Sequence, residues 1–146
     1  MEAIRAMPIV DANRLVIGGQ SRGGILSVAY AGRHPEQVKG VINFVGGWLG
    51  ARCALAMTDV NQTLLKRGAT YPGEMIWLYG DRDPFYALYA SRDNFTAFQA
   101  AGGKGTFLVF PAPPNDTGHR ISGYPELWGS ALDDYLRARG LLSAPR

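Results

Sequence analysis

Apolar residues along this chain are concentrated in four short segments, spaced about 25 to 35 residues apart. The segments are rich in β-branched and aromatic residues and are flanked by glycine, proline or polar residues, as β-strands are. The stretches between them have helical spacing or loop composition, so strand and helix alternate. The pattern predicts strands over residues 14–18, 39–45, 74–79 and 105–110.

Two of these segments, residues 41–45 and 75–79, are almost continuously apolar and show no regular alternation with polar residues. Such runs are typical of strands covered on both faces, as in a parallel sheet between helices. The alternation of strand and helix excludes a pure β-sandwich and a helix bundle. We therefore predict a three-layer α/β/α fold with a mainly parallel sheet of about four strands, in a single domain over residues 1–146.

Three helices are predicted over residues 22–32, 84–101 and 125–140, since proline or glycine stands at or near their ends. The buried side of the first helix is predicted to contain Ile25, Leu26, Ala29 and Tyr30. Residues 48–73 are harder to assign, because only residues 60–67 within them have a helical pattern. We interpret this region as a crossover that could also cover a pocket.

The composition is that of an ordinary globular domain, with 47% hydrophobic and 18% charged residues. The net charge of +3 comes from scattered basic residues, which argues against a nucleic-acid-binding surface. Cys53 is the single cysteine, so no internal disulfide can form and a reducing compartment is favoured. No apolar run approaches the roughly 20 residues of a membrane span, and the first residues do not resemble a secretory signal. We expect a soluble cytoplasmic protein.

The segment Gly18-Gly19-Gln20-Ser21-Arg22-Gly23-Gly24 lies between the first predicted strand and the first predicted helix. A residue on so tight a turn adopts an unfavourable backbone conformation, and we expect Gly19 and Gly23 to allow the strand and helix to approach closely. Ser21 is therefore either a nucleophile or a simple loop serine. A phosphate-binding turn is the rival interpretation, but the Gly-Lys-Ser/Thr sequence and the Gly-x-Gly-x-x-Gly spacing are both absent.

A nucleophilic serine requires a base and an acid that orients it. Asp81 and Asp83 follow the third predicted strand and His119 follows the fourth. Because α/β folds place their sites beyond the carboxyl ends of strands, these side chains are candidates for both roles. The second histidine, His34, lies at a predicted helix end, where a capping or surface residue is expected. His119 is therefore the candidate base.

Three motifs carry a resemblance to a known family. The motif Gly19-x-Ser21-x-Gly23, between strand and helix, resembles the nucleophile elbow of the α/β-hydrolases, and residues 11–24 are most similar to the dienelactone hydrolase and prolyl oligopeptidase-like branches. The motif Gly80-x-x-Asp83-Pro84 is similar to the acid loop of the family. Residues 116–119 resemble its histidine loop, and the chain order Ser, Asp, His is also that of the family.

The resemblance implies a serine hydrolase acting on a carboxylic ester or related acyl substrate through a Ser-His-Asp triad. Ser21 would be the nucleophile, His119 the base and Asp83 the orienting acid, with Asp81 as the competing acid. The backbone N–H of Arg22 would be one oxyanion donor. Trp48 is a candidate substrate-binding residue, although an apolar residue there is equally typical of the core. This chemistry needs no metal and no cofactor.

The resemblance covers nearly the whole chain but only the C-terminal half of the family fold. Residues 1–14 contain no His-Gly-Gly-Gly type loop, so we expect the second oxyanion donor to be missing, which slows such reactions about a hundredfold or more. The alternative function is a catalytically weak or inactive remnant that serves as an oligomerising module. The strand at residues 14–18 would form a sheet edge, so we expect a homodimer or higher homo-oligomer.

Overall fold

The computed structural model describes residues 1–50 and 53–143. Strands and helices alternate along these residues, with short 3₁₀ turns between some of them. Their bounds are α1 Glu2–Arg5, β1 Val16–Gln20, α2 Arg22–Arg33, β2 Gly40–Phe44, α3 Ala54–Lys66, β3 Met75–Gly80, α4 Leu88–Ala100, β4 Gly105–Phe110 and α5 Pro125–Ala138. Across the described ranges, no helix has both the length and the apolar character needed to cross a bilayer.

The four strands form one parallel sheet in the order β1-β2-β3-β4. Val16 pairs with Gly40, Ile42 with Ile76, and Met75 with Gly105, so strands that are consecutive in the sequence are neighbours in the sheet. The predicted α/β fold with a parallel sheet of about four strands is confirmed. Because all four strands run in one direction, their carboxyl ends meet at one edge of the sheet, where the candidate residues lie.

Helices cover both faces of the sheet. On one face the fully buried ring of Trp77 lies 5.0 Å from the ring of Phe95 and 5.1 Å from that of Phe98, both in α4. On the opposite face, Phe44 in β2 packs edge-on against Trp128 in α5, with ring centroids 4.9 Å apart. Every residue of β3 is buried, as its continuous apolar run predicts. The layers are therefore helix, sheet and helix.

The structure differs from the sequence-based expectation in several element bounds and in one buried helix face. Helix α4 begins at Leu88 instead of residue 84, and β2 is one residue shorter at each end than the predicted 39–45. Strand β1 lies two residues later than the predicted 14–18, and α3 begins at Ala54 instead of near residue 60. In α2, Leu26 is 48% exposed, whereas Val28 is fully buried. The 3₁₀ turn at Arg67–Thr70 packs against this side of α2, and a methyl group on Gly68 would overlap Val28. This contact turns the buried side of α2 toward Val28 and away from Leu26.

Candidate active site

Ser21 occupies the turn between β1 and α2 in a strained backbone conformation, with φ 57° and ψ −121°. Its N–H donates to the carbonyl of Phe44 in β2 at 2.9 Å, and its own carbonyl accepts N–H groups from Gly24 at 3.0 Å and Gly47 at 3.2 Å. A positive φ at a non-glycine residue costs about 1–3 kcal/mol and persists only where the surroundings enforce it. These backbone hydrogen bonds hold the turn in place.

The turn depends on close backbone approaches at Gly19 and Gly24. A methyl group on Gly19 would overlap the backbone of Gly23, and one on Gly24 would overlap the side chain of Asn43 and the carbonyl of Gly19. A methyl group on Gly23 would meet no atom within 4 Å. The expectation that Gly23 lacks a side chain for reasons of space is therefore wrong, and Gly24 is the second glycine that the packing requires.

Asp83 and His119 come together from the loops after β3 and β4. His119 Nδ1 lies 2.9 Å from Asp83 Oδ2, and the two side chains are 14% and 1% exposed. The other carboxylate oxygen accepts the N–H groups of Phe85 at 2.8 Å and Tyr86 at 3.1 Å. A buried carboxylate is costly unless its oxygens are hydrogen-bonded, and these three donors meet that requirement. Because Nδ1 faces the acid, Nε2 is the ring nitrogen left to accept a proton.

The competing side chains have other partners. Asp81 Oδ1 accepts the N–H of Ala112 at 2.5 Å and lies 3.5 Å from Arg82 Nε, so this carboxylate joins the loops after β3 and β4. His34 caps the carboxyl end of α2, and its ring packs against that of Tyr30 with centroids 4.6 Å apart and planes tilted by 39°. The geometry therefore favours Asp83 over Asp81 as the partner of His119 and leaves His34 outside the site.

The structure does not join Ser21 to His119 by a hydrogen bond. The side-chain partner of Ser21 Oγ is the hydroxyl of Tyr86, at 3.3 Å. The chain nevertheless brings the histidine loop next to the serine turn, because Gln20 Nε2, one residue before Ser21, donates to the carbonyl of His119 at 2.6 Å. Sequence reasoning missed this role of Gln20, and only its position beside Ser21 could have indicated it.

The 3₁₀ segment that carries His119, Gly118–Gly123, is held at both ends by one side chain. The carboxylate of Asp116 accepts the N–H of Thr117 and the hydroxyl of Tyr124, each at 2.8 Å. These hydrogen bonds lower the pKa of Asp116, and the same contact raises the pKa of Tyr124. The two hydrogen bonds of Asp116 thus fix the loop that carries the imidazole of His119.

Backbone strain is concentrated at this edge of the sheet. Ser21, Val45 and Arg82, all with positive φ, follow the carboxyl ends of β1, β2 and β3. Val45 is fully buried and β-branched, a residue type for which positive φ is a genuine outlier. Strain of this kind is typical of functional sites, where tertiary contacts enforce an unfavourable conformation.

Arg22 and Trp48 lie beside the serine turn. Arg22 is the first residue of α2, so its N–H has no acceptor within the helix and stands next to Ser21. Its guanidinium lies 5.3 Å from the indole ring of Trp48. Trp48 lines a cavity of about 410 Å³ whose other walls are mainly α3, with Leu26 of α2. Neither Ser21 nor His119 is among its lining residues, so Trp48 lies near the serine without facing it across this cavity.

A second apolar side chain lies directly at the candidate site. Phe85 is 56% exposed, and its ring centroid is 4.7 Å from that of His119. Its neighbour Tyr86 is 7% exposed and lies with its ring centroid 5.5 Å from the imidazole. Of these two aromatic residues, Phe85 is the one that a bound apolar group could contact.

No family model and no curated protein sequence matches this chain. Several solved structures do resemble it. A variant of SOBER1 from Arabidopsis thaliana superposes with a TM-score of 0.60 at 18% identity, covering 90% of this chain and 55% of that protein. An esterase from Thermogutta terrifontis with propionate bound superposes with a TM-score of 0.59 at 18% identity, covering 94% of this chain and 60% of that protein. The fold is that of the α/β-hydrolases.

A further structure with the α/β-hydrolase fold, described as a dienelactone hydrolase from Klebsiella pneumoniae, gives a TM-score of 0.54 at 23% identity and covers 90% of this chain and 52% of that one. The Thermogutta terrifontis esterase has also been solved phosphonylated by sarin. This chain spans little more than half the length of the three α/β-hydrolase structures compared. The likeness establishes the fold that the sequence motifs predicted.

Proposed function

We propose that this chain is a serine hydrolase that cleaves a carboxylic ester or a related acyl substrate. The observation that carries the proposal is the 2.9 Å contact between His119 and a buried Asp83, at the sheet edge where Ser21 stands on a strained turn. A hydrogen-bonded acid and imidazole near a serine hydroxyl are the parts that acyl transfer needs. Esterases of the same fold support the reaction class.

In the proposed mechanism, Ser21 Oγ forms a bond to the acyl carbon while His119 Nε2 takes its proton. The carbonyl oxygen becomes an oxyanion, to which the N–H of Arg22 donates. Asp83 stabilises the imidazolium and keeps Nδ1 protonated. When the tetrahedral intermediate collapses, the bond to the leaving alcohol breaks and that alcohol receives the proton from Nε2. Water then attacks the acyl-enzyme by the same steps and releases the acid and Ser21.

The substrate proposed here is a small acyl compound with an apolar portion. Phe85 offers exposed aromatic surface next to His119, and the cavity lined by Trp48 offers a second apolar surface. Binding at Phe85 places an acyl or alcohol group close to the imidazole that transfers the proton. Trp48, whose indole ring lies 5.3 Å from the Arg22 guanidinium, would contact a longer substituent.

Labelling with a fluorophosphonate, followed by peptide mapping, tests the nucleophile. In that reaction a bond forms between Ser21 Oγ and phosphorus, fluoride leaves, and His119 takes the serine proton. We expect label on the peptide containing Ser21 and none after Ser21→Ala. Folded protein that remains unlabelled at Ser21, while a known serine esterase is labelled under the same conditions, contradicts the proposal.

The acid is tested by a matched pair of substitutions, Asp83→Asn and Asp81→Asn. We expect Asp83→Asn to slow hydrolysis of p-nitrophenyl acetate on the order of 10⁴-fold, as loss of the orienting carboxylate does in other triads. Asp81→Asn keeps an oxygen that can accept the N–H of Ala112 and should stay near the parent rate. An Asp83→Asn rate equal to the parent rate would contradict the role of Asp83, and an equal loss in both variants would contradict the choice of Asp83 over Asp81.

A weak or inactive remnant is the second candidate function. One observation favours it: the Ser21 hydroxyl is hydrogen-bonded to Tyr86 and not to His119. It requires that the folded protein shows neither Ser21 labelling nor an effect of Asp83→Asn on ester hydrolysis. The experiments above therefore decide between the two candidates.

A further inference from the structure

The hydroxyl of Tyr86 stands between Ser21 and Gly47. Its oxygen is 3.3 Å from Ser21 Oγ and 2.8 Å from the carbonyl oxygen of Gly47. A carbonyl can only accept, so the single hydrogen of the tyrosine hydroxyl is donated to Gly47. The shared contact with Ser21 must then use the serine hydrogen, which Ser21 donates to the tyrosine oxygen.

This contact closes a ring of three hydrogen bonds. Ser21 donates to Tyr86, Tyr86 donates to the carbonyl of Gly47, and the N–H of Gly47 donates to the carbonyl of Ser21 at 3.2 Å. The only hydrogen of the Ser21 hydroxyl is therefore donated to Tyr86 and not to His119 Nε2. We propose that Tyr86 is a positioning residue that holds the Ser21 hydroxyl in a resting orientation, from which it must be released before it can react. This inference rests on the proposed serine hydrolase function.

Tyr86 is firmly fixed in this position. The residue is 7% exposed, and its backbone N–H donates to Asp83 Oδ1 at 3.1 Å. A methyl group on Gly47 would overlap the tyrosine ring, so the glycine is what allows the ring to reach the serine. Tyr86 therefore contacts the nucleophile through its hydroxyl and the orienting acid through its backbone. A substrate that displaces the serine hydroxyl from Tyr86 would couple binding to activation.

The ¹⁵N chemical shift of His119 Nε2 reports directly on the orientation of the serine hydroxyl. The chain contains two histidines, so the resonance can be assigned with His119→Gln. We expect Ser21→Ala to leave the Nε2 shift unchanged in the parent protein, because no hydrogen bond is lost. In the Tyr86→Phe background, where Ser21 is free to donate to His119, we expect Ser21→Ala to move it. Two results would overturn the inference. The first is that Ser21→Ala changes the Nε2 chemical shift in the parent protein, which can be measured whether or not the Tyr86→Phe variant folds. The second is that Ser21→Ala leaves this shift unchanged in a folded Tyr86→Phe protein.

Fluorophosphonate labelling kinetics give the second readout. We expect Tyr86→Phe to label about two- to tenfold faster than the parent, the range that loss of one net hydrogen bond from the resting state gives. Tyr89→Phe is the matched control, since Tyr89 is 70% exposed, and should label at the parent rate. A Tyr86→Phe rate equal to or below the parent rate would overturn the inference. If no variant is labelled but the chemical shifts behave as expected, the proposed function fails while the resting orientation of Ser21 stands.

Discussion

The packing of the serine turn predicts sharply different outcomes for the same substitution at its three glycines. Alanine at Gly19 places a methyl group onto backbone atoms of Gly23, which cannot rotate away as a flexible side chain could. Overpacking usually costs about 1–3 kcal/mol, and a backbone obstacle sets the expectation at about 3 kcal/mol. At Gly24 the methyl group meets the Asn43 side chain and two carbonyl oxygens, for about 2–3 kcal/mol.

Gly23 is the matched control within the same motif. Its added methyl group would meet no atom within 4 Å, and its φ is not positive. Replacing such a glycine with alanine restricts the unfolded chain and stabilises the folded state by about 0.4–1 kcal/mol. The free energies of unfolding of Gly19→Ala and Gly23→Ala should therefore differ by about 3–4 kcal/mol.

Urea unfolding followed by far-UV circular dichroism measures this difference. With a slope of about 2 kcal/mol per molar urea, a loss of 3 kcal/mol moves the midpoint down by about 1.5 M. Gly23→Ala should move it slightly up, with an unchanged slope. The reasoning is refuted if Gly23→Ala is as destabilising as Gly19→Ala, or if all three variants fall within about 0.5 kcal/mol of the parent.

Three further predictions concern the core, the histidine loop and the outermost strand, β1. Trp77 is fully buried, so Trp77→Ala should lower the free energy of unfolding by about 3–5 kcal/mol. Leu142 is 38% exposed, and Leu142→Ala should change it by less than about 0.5 kcal/mol. Similar losses in the two variants would contradict this assignment of the core. Because the pKa of Asp116 is lower in the folded than in the unfolded state, its contribution to the free energy of unfolding is present above about pH 3.9 and is lost as pH falls through the folded pKa. The stability difference between the parent and Asp116→Asn should therefore shrink on acidification. A constant difference would argue against a stabilising role of the Asp116 hydrogen bonds. Among the described residues β1 pairs with β2 alone, and on this ground we propose a homodimer with twice the 15.8 kDa chain mass in light scattering. A monomeric mass at micromolar concentration would count against it.

The local sequence pattern predicted best the elements that consist of an uninterrupted apolar run. Strand β4 has the predicted bounds, and β3 differs by one residue at each end, because an uninterrupted apolar run between polar or glycine residues suits few other structures. Helix α5 also begins at the predicted residue and ends two residues before the predicted limit of 140. The buried side of α2 was predicted less well, because apolar residues surround that helix and the turn at Arg67–Thr70 selected which of them it covers.

The sequence by itself determined the fold class and the candidates at the sheet edge. Strand and helix periodicity are local properties, and a parallel sheet brings the carboxyl ends of its strands together whatever the loops contain. The resemblance of Gly80-x-x-Asp83-Pro84 to the acid loop favoured Asp83, but position after the strand left Asp81 as a competitor, because the two aspartates are two residues apart in one loop. Only the tertiary structure paired His119 with Asp83, through contacts 36 residues apart along the chain.

The tertiary structure alone also decided the partner of Ser21. The glycine-rich motif predicted where the serine stands, because the backbone of a tight turn depends on its immediate neighbours. The direction of the hydroxyl depends on Tyr86, which is 65 residues away in sequence, and on Gly47, which makes room for its ring. Hydrogen bonds between distant segments follow from how the loops pack over the sheet, and no local pattern of residues encodes that packing.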